Sequence, residues 1–259
     1  MDGMTEDPGD PQRPFLEHLE ELRRCLIRSL LVALVGVIAG AAAFRPISDQ
    51  VRGQLRQAFE ATGHPEDFPS ALFTLTPTAA VGMVFEFSLA AGLFLALPYL
   101  LVQLWAFVSP ALRARERRVA GWVLTAGPLF FVGGFLFSFF HLMPLTAECL
   151  LRISYHYGFA PRWTAESYYG FFLVLNLAFA TCFELPLVMV ILSAMGLVRP
   201  AMYGRYRRHW IAASFLIGGL LPPPELVSMF IQAGTLIALY EVGILFSRLF
   251  VPRQDPLQP

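Results

Sequence analysis

Long apolar runs separated by short polar segments dominate the hydrophobic pattern of this chain. Crossing a hydrocarbon core of roughly 30 Å takes about 20 mostly apolar helical residues. Four runs reach that length, at about residues 26–44, 79–107, 119–145 and 168–198. Two further runs follow, at about 210–221 and 226–246, and three prolines join them. The pattern predicts an all-α membrane protein with six transmembrane helices, of which the last two are short.

Composition and charge placement agree with this interpretation and add an orientation. The chain is 56% hydrophobic and only 15% charged, against roughly 25% charged residues in an average soluble domain. All of its basic residues other than histidine are arginines. With a cytoplasmic N-terminus, most of them fall on the inside, and the outer loops hold only Arg45, Arg52, Arg56, Arg152 and Arg162. The excess predicts that both termini are cytoplasmic.

The segments outside the spans have simple expected structures. Residues 1–13 are predicted to be a disordered cytoplasmic tail, 14–249 the membrane domain and 250–259 a short cytoplasmic tail. In the first outer loop, at about 45–77, Val51, Leu55 and Phe59 recur at helical spacing. This spacing predicts a short amphipathic helix lying at the outer surface, with a solvated loop as the alternative.

Acidic residues precede the first span, where arginines are the usual occupants. The apolar positions there are spaced as on one face of a helix that runs into the membrane: Phe15, Leu19, Leu22 and Leu26. Glu20 and Glu21 lie off that stripe. They either form a solvated face, with a Glu20 to Arg24 pair, or receive a basic ligand at the cytoplasmic surface.

A second acid lies in the loop after the second span. Trp105 and Phe107 suit an interfacial aromatic belt, and Pro110 ends the helix. Glu116 follows, surrounded by four arginines. These arginines either neutralise it or leave it available to a basic ligand.

The fourth run contains an acid at membrane depth. Glu184 is expected to face a protein interior, a wet cavity or a partner helix, because an exposed carboxylate is costly in lipid. Pro186 is expected to bend the helix, and Thr181 lies one turn earlier on the same face. Glu86, His141 and Glu241 are interpreted as snorkelling side chains or interhelical hydrogen-bond partners.

Catalytic and cofactor motifs are absent from the sequence. Ser138 and His141 are three residues apart, which is interpreted as an ordinary polar helix contact. No HExxH, P-loop, GxGxxG or nucleophile-elbow pattern occurs, so no enzyme activity, metal, cofactor or nucleic-acid binding is predicted. The cysteines Cys25, Cys149 and Cys182 support neither a disulfide framework nor a thiolate metal site.

Several of these segments together resemble the TatC family. They are the run 15–26, the segment 97–117 with its Gln-Leu-Trp-Ala-Phe-Val-Ser-Pro stretch, the Phe-Glu-Leu-Pro block at 183–186, and 239–248. The resemblance implies a glove-shaped bundle in the bacterial inner membrane that binds twin-arginine signal peptides and moves folded proteins independently of the Sec pathway. It also implies single-span partners, TatA and usually TatB, together with self-association and use of the proton-motive force.

Individual residues carry over from the family motifs. Glu21 and Glu116 match the acids that engage the two arginines, with Arg23 and Phe107 at the same site. Glu184 matches the intramembrane acid associated with partner helices. Glu225 stands where relatives usually have Asp, in the outer cap. The departures are Met229, Thr235 and Thr78, where relatives carry Gln, Pro and an acid close to that position.

Two other classes remain as alternatives at this point. A proton-coupled small-solute transporter would use Glu184 as its relay. An intramembrane protease would need Ser138 or His141.

Overall fold

The computed structural model describes residues 12–69, 72–108, 114–221 and 226–250. Within these ranges it describes the backbone but not the side chains of residues 12–19, 21, 22, 101, 104–108, 114–120, 123 and 124. The helices are α1 (Gln12–Ala61), α2 (Ala79–Val108), α3 (Ala114–Phe137), α4 (Met143–His156), α5 (Ala165–Cys182), α6 (Leu185–Ala194), α7 (Pro200–Leu220) and α8 (Leu226–Phe250). A π-helical turn, Ser138–Leu142, joins α3 to α4. Within the described ranges, β structure is limited to one bridge between Phe73 and Thr164. The predicted all-α fold is confirmed.

Five helical stretches are long and apolar enough to cross a membrane: Arg23–Ala61, Ala79–Leu100, Thr125–His156, Ala165–Ala194 and Leu226–Phe250. Helix α7, which corresponds to the fifth predicted span, is not among these five stretches. It has 21 residues, and its first half carries Arg205, Arg207 and Arg208. The prediction of a short apolar segment is therefore right for α7. It is wrong for α8, which has 25 residues and is long and apolar enough to cross a membrane.

The first helix is much longer than the predicted span. It runs for 50 residues with Pro46 inside it. Val51, Leu55 and Phe59 lie on its last turns and are at most 2% exposed. The predicted helical periodicity is confirmed, but the prediction of a separate short helix is wrong: the segment continues α1, and its apolar face packs into the core of the protein.

Two tyrosines of α5 donate hydrogen bonds to the backbone of α1 after Pro46. The Tyr168 hydroxyl donates to the Val51 carbonyl at 3.4 Å, and the Tyr169 hydroxyl donates to the Ser48 carbonyl at 3.3 Å. The largest cluster of buried apolar side chains lies here, where α1 meets α4 and α5. This end of the bundle is called the Ala61 end below.

The carboxyl end of α1 is also tied to α4. The Arg152 guanidinium donates to the Ala61 carbonyl at 3.0 Å and pairs with Glu148 at 2.7 Å. Such a bond satisfies a terminal carbonyl that lacks an intrahelical partner. The end of α1 is thus held by a side chain of a neighbouring helix.

The fourth run is broken, as its proline predicts. α5 ends at Cys182 and α6 begins at Leu185, with a turn at Phe183 and Glu184. Pro186 has no N–H to donate to the Cys182 carbonyl four residues earlier, and its ring crowds that carbonyl. The break places Glu184 at the start of α6.

Candidate functional site

Helices α1 and α2 touch through their backbones. A Cβ atom on Gly36 would lie 2.8 Å from the Gly92 Cα, and one on Gly92 would lie 2.7 Å from the Ala33 carbonyl oxygen. A Cβ on Gly40 would lie 3.1 Å from the Ser88 Cα. Small residues at this spacing allow transmembrane helices to approach closely. Gly36 and Gly40 form a Gly-Xaa-Xaa-Xaa-Gly pattern, which is typical of closely packed transmembrane helices and which the sequence analysis missed.

The contacts define one antiparallel register between the two helices. Gly40 lies opposite Ser88, and Gly36 lies opposite Gly92. The same register holds nearer the N-terminus, where the Cys25 thiol donates to the Gln103 amide oxygen at 3.3 Å. Each step forward along α1 therefore corresponds to one step back along α2.

This register brings predicted site residues to one level. Extending it by four residues in each helix, about one turn, sets the backbone of Glu21 opposite that of Phe107. Glu116 lies in the first turn of α3, which is separated from the end of α2 by residues 109–113. Helices α1, α2 and α3 thus carry Glu21, Phe107 and Glu116 at the same end of the bundle, called the Glu21 end below.

The described side chains give further detail there. Arg23 is exposed. Arg24 pairs with Glu20 at 3.7 Å, so the predicted solvated pair is present. The side chains of Glu21, Phe107 and Glu116 lie outside those that the structure describes, and so does the whole of Glu225.

Glu184 occupies a niche against α3. It is half-buried, and a Cβ atom on Gly127 would lie 3.5 Å from its Oε2. Its Oε1 is buried and has no hydrogen-bond partner among the described residues. The missing side chain of Gly127 makes room for the carboxylate. A group that is buried without a partner at membrane depth fits a functional role better than a structural one.

A second glycine, Gly134, allows α3 to approach the break between α5 and α6 closely. A Cβ on Gly134 would lie 2.7 Å from the Phe183 Cβ and 2.8 Å from the Phe179 carbonyl oxygen. Gly127 and Gly134 are seven residues apart and therefore share one face of α3. On the other side, a Cβ on Gly243 of α8 would lie 3.2 Å from the Pro186 Cα. The position of Glu184 is set by this close packing.

Thr181 makes no side-chain contact with Glu184. Its side chain is exposed, and its hydroxyl donates to the Leu177 carbonyl at 2.9 Å. The link to Glu184 is through the backbone, since the Glu184 N–H donates to the Thr181 carbonyl at 3.1 Å. The threonine hydroxyl satisfies its own helix and does not share the carboxylate niche.

Helices α7 and α8 are joined by polar and aromatic contacts. Arg207 pairs with Glu241 at 2.6 Å, which agrees with the interpretation of Glu241 as an interhelical partner. Trp210 stacks on Tyr240 at a centroid distance of 5.0 Å. The Tyr240 hydroxyl donates to the Tyr203 carbonyl at 2.9 Å. These contacts make α7 and α8 one packed pair.

Gln232 is a buried polar residue that the sequence analysis missed. It is fully buried in α8, and neither amide atom has a hydrogen-bond partner in the described part of the chain. It lies beside Gly218 of α7, where a Cβ would be 3.5 Å from the Gln232 Cβ. The neighbouring Met229 reaches Gly219, whose Cβ would be 3.4 Å from the sulfur.

The geometry does not support a serine and histidine pair. Ser138 is fully buried, whereas His141 is exposed and stacks on Phe137 at a centroid distance of 5.5 Å. The two side chains therefore point into different surroundings, although both lie in the π-helical turn.

Comparison with known proteins identifies the family of this chain. The family model described as Sec-independent protein translocase protein (TatC) matches residues 17–234. The TatC protein of Aquifex aeolicus is 31% identical over 95% of this chain and 99% of its own length. The TatC protein of Escherichia coli K12 is 31% identical over 92% of this chain and 90% of its own length.

A solved structure gives the same result for the fold. The crystal structure named Twin Arginine Translocase Receptor TatC in DDM has a TM-score of 0.76 and 29% identity, and the match covers 89% of this chain and 99% of that one. These likenesses are to protein translocases, and they give no support to the alternative of a solute transporter. The chain belongs to the TatC family of Sec-independent protein translocase proteins, which are multi-pass membrane proteins.

Proposed function

We propose that this chain is the subunit that receives twin-arginine signal peptides, with Glu21 and Glu116 as the carboxylates that hold the two arginines. The observation that carries the proposal is the register of α1 and α2, which sets the backbone of Glu21 level with that of Phe107. A solved structure of similar fold is named as a twin-arginine translocase receptor.

The chemistry of the two acids suits a pair of arginines. A guanidinium is planar and donates two parallel hydrogen bonds to a carboxylate, which an ammonium group does not do. The surrounding arginines and the positive-inside pattern would otherwise favour anions at this level of the membrane. Carboxylates on two separate helices therefore provide a selective place for cations, with Phe107 and Arg23 completing the site.

The proposal also covers the location of the protein in the cell and the subunits with which it works. Both termini, residues 1–13 and 250–259, lie in the cytoplasm, and the protein resides in the bacterial inner membrane. It works with TatA-type and TatB-type single-span subunits and with further copies of itself, using the proton-motive force. The niche of Glu184 and the α7 and α8 pair, with Thr235 and Met229 in place of the family residues, hold partner helices. Glu225 belongs to the periplasmic cap.

The direct test is export of a folded reporter that carries a twin-arginine leader. Glu21→Ala and Glu116→Ala are each expected to lower binding of the leader by at least about tenfold, the equivalent of about 1.4 kcal/mol, and to stop export. Glu60→Ala is the matched control, because Glu60 is an exposed acid paired with Arg56 at the other end of α1. Equal losses in all three variants, or full binding of a leader with two lysines, would contradict the proposal.

A further inference from the structure

Helices α7 and α8 carry more positive charge than they neutralise. Their one acid is Glu241, which pairs with Arg207 at 2.6 Å. Three further arginines belong to the same two helices: Arg205 and Arg208 in α7, and Arg248 in α8. All three are exposed, and none of them forms an ion pair in the described part of the chain. Their guanidinium groups are therefore available to an anion from outside the protein.

The packing of α8 against α7 brings these three arginines to one face. Arg248 reaches across to α7, where a Cβ atom on Gly204 would lie 3.7 Å from its Nη2. Arg208 follows Gly204 by one turn, and Arg205 is the next residue after Gly204. At about 100° per residue, these three positions of α7 fall within about 100° of the helix circumference. Gly204, Arg205, Arg208 and Arg248 together are called the arginine face below.

The arginine face lies where a membrane-spanning segment ends. Leu226–Phe250 is long and apolar enough to cross a membrane, and Arg248 lies in its last turn. Because a crossing takes about 20 residues, the ends of a 25-residue helix reach the interface between lipid and water. Large apolar or aromatic side chains are exposed within one turn of these arginines: Met202, Tyr206, Leu245 and Leu249.

We propose that the arginine face binds the phosphodiester of an anionic phospholipid. A guanidinium donates two parallel hydrogen bonds to a phosphate, and several guanidiniums surround one phosphate without repelling it. Basic sites between transmembrane helices near the membrane surface suit anionic head groups for this reason. A zwitterionic phospholipid fits less well, because its own ammonium group would lie beside three uncompensated cations. This lipid site is separate from the proposed site at Glu21 and Glu116 and does not depend on it.

The apolar neighbours favour a lipid over an acidic protein segment. Charge alone would suit either ligand. Tyr206, Leu245 and Leu249 are exposed beside the arginines, however, and acyl chains cover such side chains in a membrane-spanning protein. One phospholipid thus satisfies both features at once, since its phosphate meets the guanidiniums while its chains lie along the exposed apolar side chains.

The test uses the purified full-length chain in a neutral detergent. Phosphatidylglycerol or phosphatidylethanolamine with the same acyl chains is added, and bound lipid is counted by native mass spectrometry. Thermal unfolding is followed in parallel, because a ligand that binds the folded state raises Tm. We expect phosphatidylglycerol to bind and to raise Tm, and phosphatidylethanolamine to do both much less. Inorganic phosphate alone is expected to have no effect, since it lacks the acyl chains.

A matched pair of triple variants locates the site. Arg205→Gln, Arg208→Gln and Arg248→Gln together are expected to lower the affinity for phosphatidylglycerol by at least about tenfold. The control removes the same charge from exposed arginines outside α7 and α8: Arg45→Gln, Arg56→Gln and Arg162→Gln. Its affinity is expected to stay close to that of the wild type. Arg248→Gln alone gives a second measurement with little risk to folding and should weaken binding severalfold.

Four results would overturn the inference. Equal losses in the two triple variants would show a general effect of charge, and equal binding of the two phospholipids would show no preference for an anionic head group. A rise in Tm with inorganic phosphate alone would indicate a site for free phosphate. Normal binding of phosphatidylglycerol by the Arg205, Arg208 and Arg248 variant, together with loss of a copurifying partner subunit, would make the arginine face a protein contact.

Discussion

The thiol of Cys25 in α1 donates a hydrogen bond to the amide oxygen of Gln103 in α2 at 3.3 Å. This contact lies about one turn from the level shared by Glu21 and Phe107. It fixes the register of the two helices close to the proposed arginine site, and it continues the register set by the glycines deeper in the bundle.

Breaking that contact should weaken ligand binding more than it weakens the fold. Gln103→Leu keeps the size of the side chain but removes the bonds to Cys25 and Tyr99. We expect leader affinity to fall severalfold, because α1 and α2 are then less firmly held in the register that sets Glu21 level with Phe107. The loss of one net hydrogen bond costs the fold only about 1 kcal/mol. Fluorescence anisotropy with a labelled leader measures the change. Cys25→Ser keeps a donor and should bind nearly as well as the wild type, and wild-type affinity in Gln103→Leu would contradict the expectation.

Two adjacent glycines of α3 offer a matched test of the packing around Glu184. Gly134→Ala forces a Cβ within 2.8 Å of Phe183 and of the Phe179 carbonyl. We expect it to lower the free energy of unfolding by about 1 to 3 kcal/mol, as overpacking does. Gly133→Ala meets nothing within 4 Å and should stabilise the helix slightly. Thermal unfolding in detergent separates the two, and similar Tm values would refute the packing described here.

The carboxylate of Glu184 should matter for partner binding and not for folding. Its Oε1 is buried without a partner among the described residues, so Glu184→Gln removes an ionisable group from an apolar site. We expect an unchanged or higher Tm together with reduced copurification of a single-span partner subunit. Glu86→Gln, an exposed acid of α2, is the control. A marked loss of stability in Glu184→Gln would show that the carboxylate supports the fold.

Salt should weaken the binding of a leader that carries two arginines and should have little effect on a leader that lacks them. Attraction between exposed charges is screened over about 8 Å at physiological ionic strength and about 3 Å at 1 M salt. Binding of a twin-arginine leader should therefore weaken as salt rises. Binding of a leader with two glutamines should be weak at every salt concentration and change little. A twin-arginine leader with no salt dependence would argue against recognition by Glu21 and Glu116.

The positions of the apolar helices were predictable, whereas their contacts were not. Run length alone locates the spans, since the bilayer sets how many apolar residues a helix needs. The register of α1 and α2 depends on which glycine faces which, and a glycine in an apolar run has no visible partner in a single sequence. Gly127 illustrates this, because its importance lies in the space that it leaves for Glu184.

Pro186 was informative, whereas the length of the apolar run placed the end of the first helix too early. Pro186 predicted the break that places Glu184 at the start of α6, and the structure agrees. Pro46 lies beside an apparent span end, yet α1 continues through it for fifteen residues to Ala61. The helix persists because Val51, Leu55 and Phe59 are buried by neighbouring helices. A single sequence shows the periodicity of such a segment but not the tertiary packing that covers it.

The length of α1 has a mechanical consequence. Fifty residues at 1.5 Å each make a rod of about 75 Å. Arg152 and the α5 tyrosines hold its far end, and the glycine contact with α2 grips it near the middle. The bond between Cys25 and Gln103 holds it at a third place, about one turn from Glu21. A single helix that is attached at all three places sets a fixed distance between the proposed arginine site and the Ala61 end of the bundle.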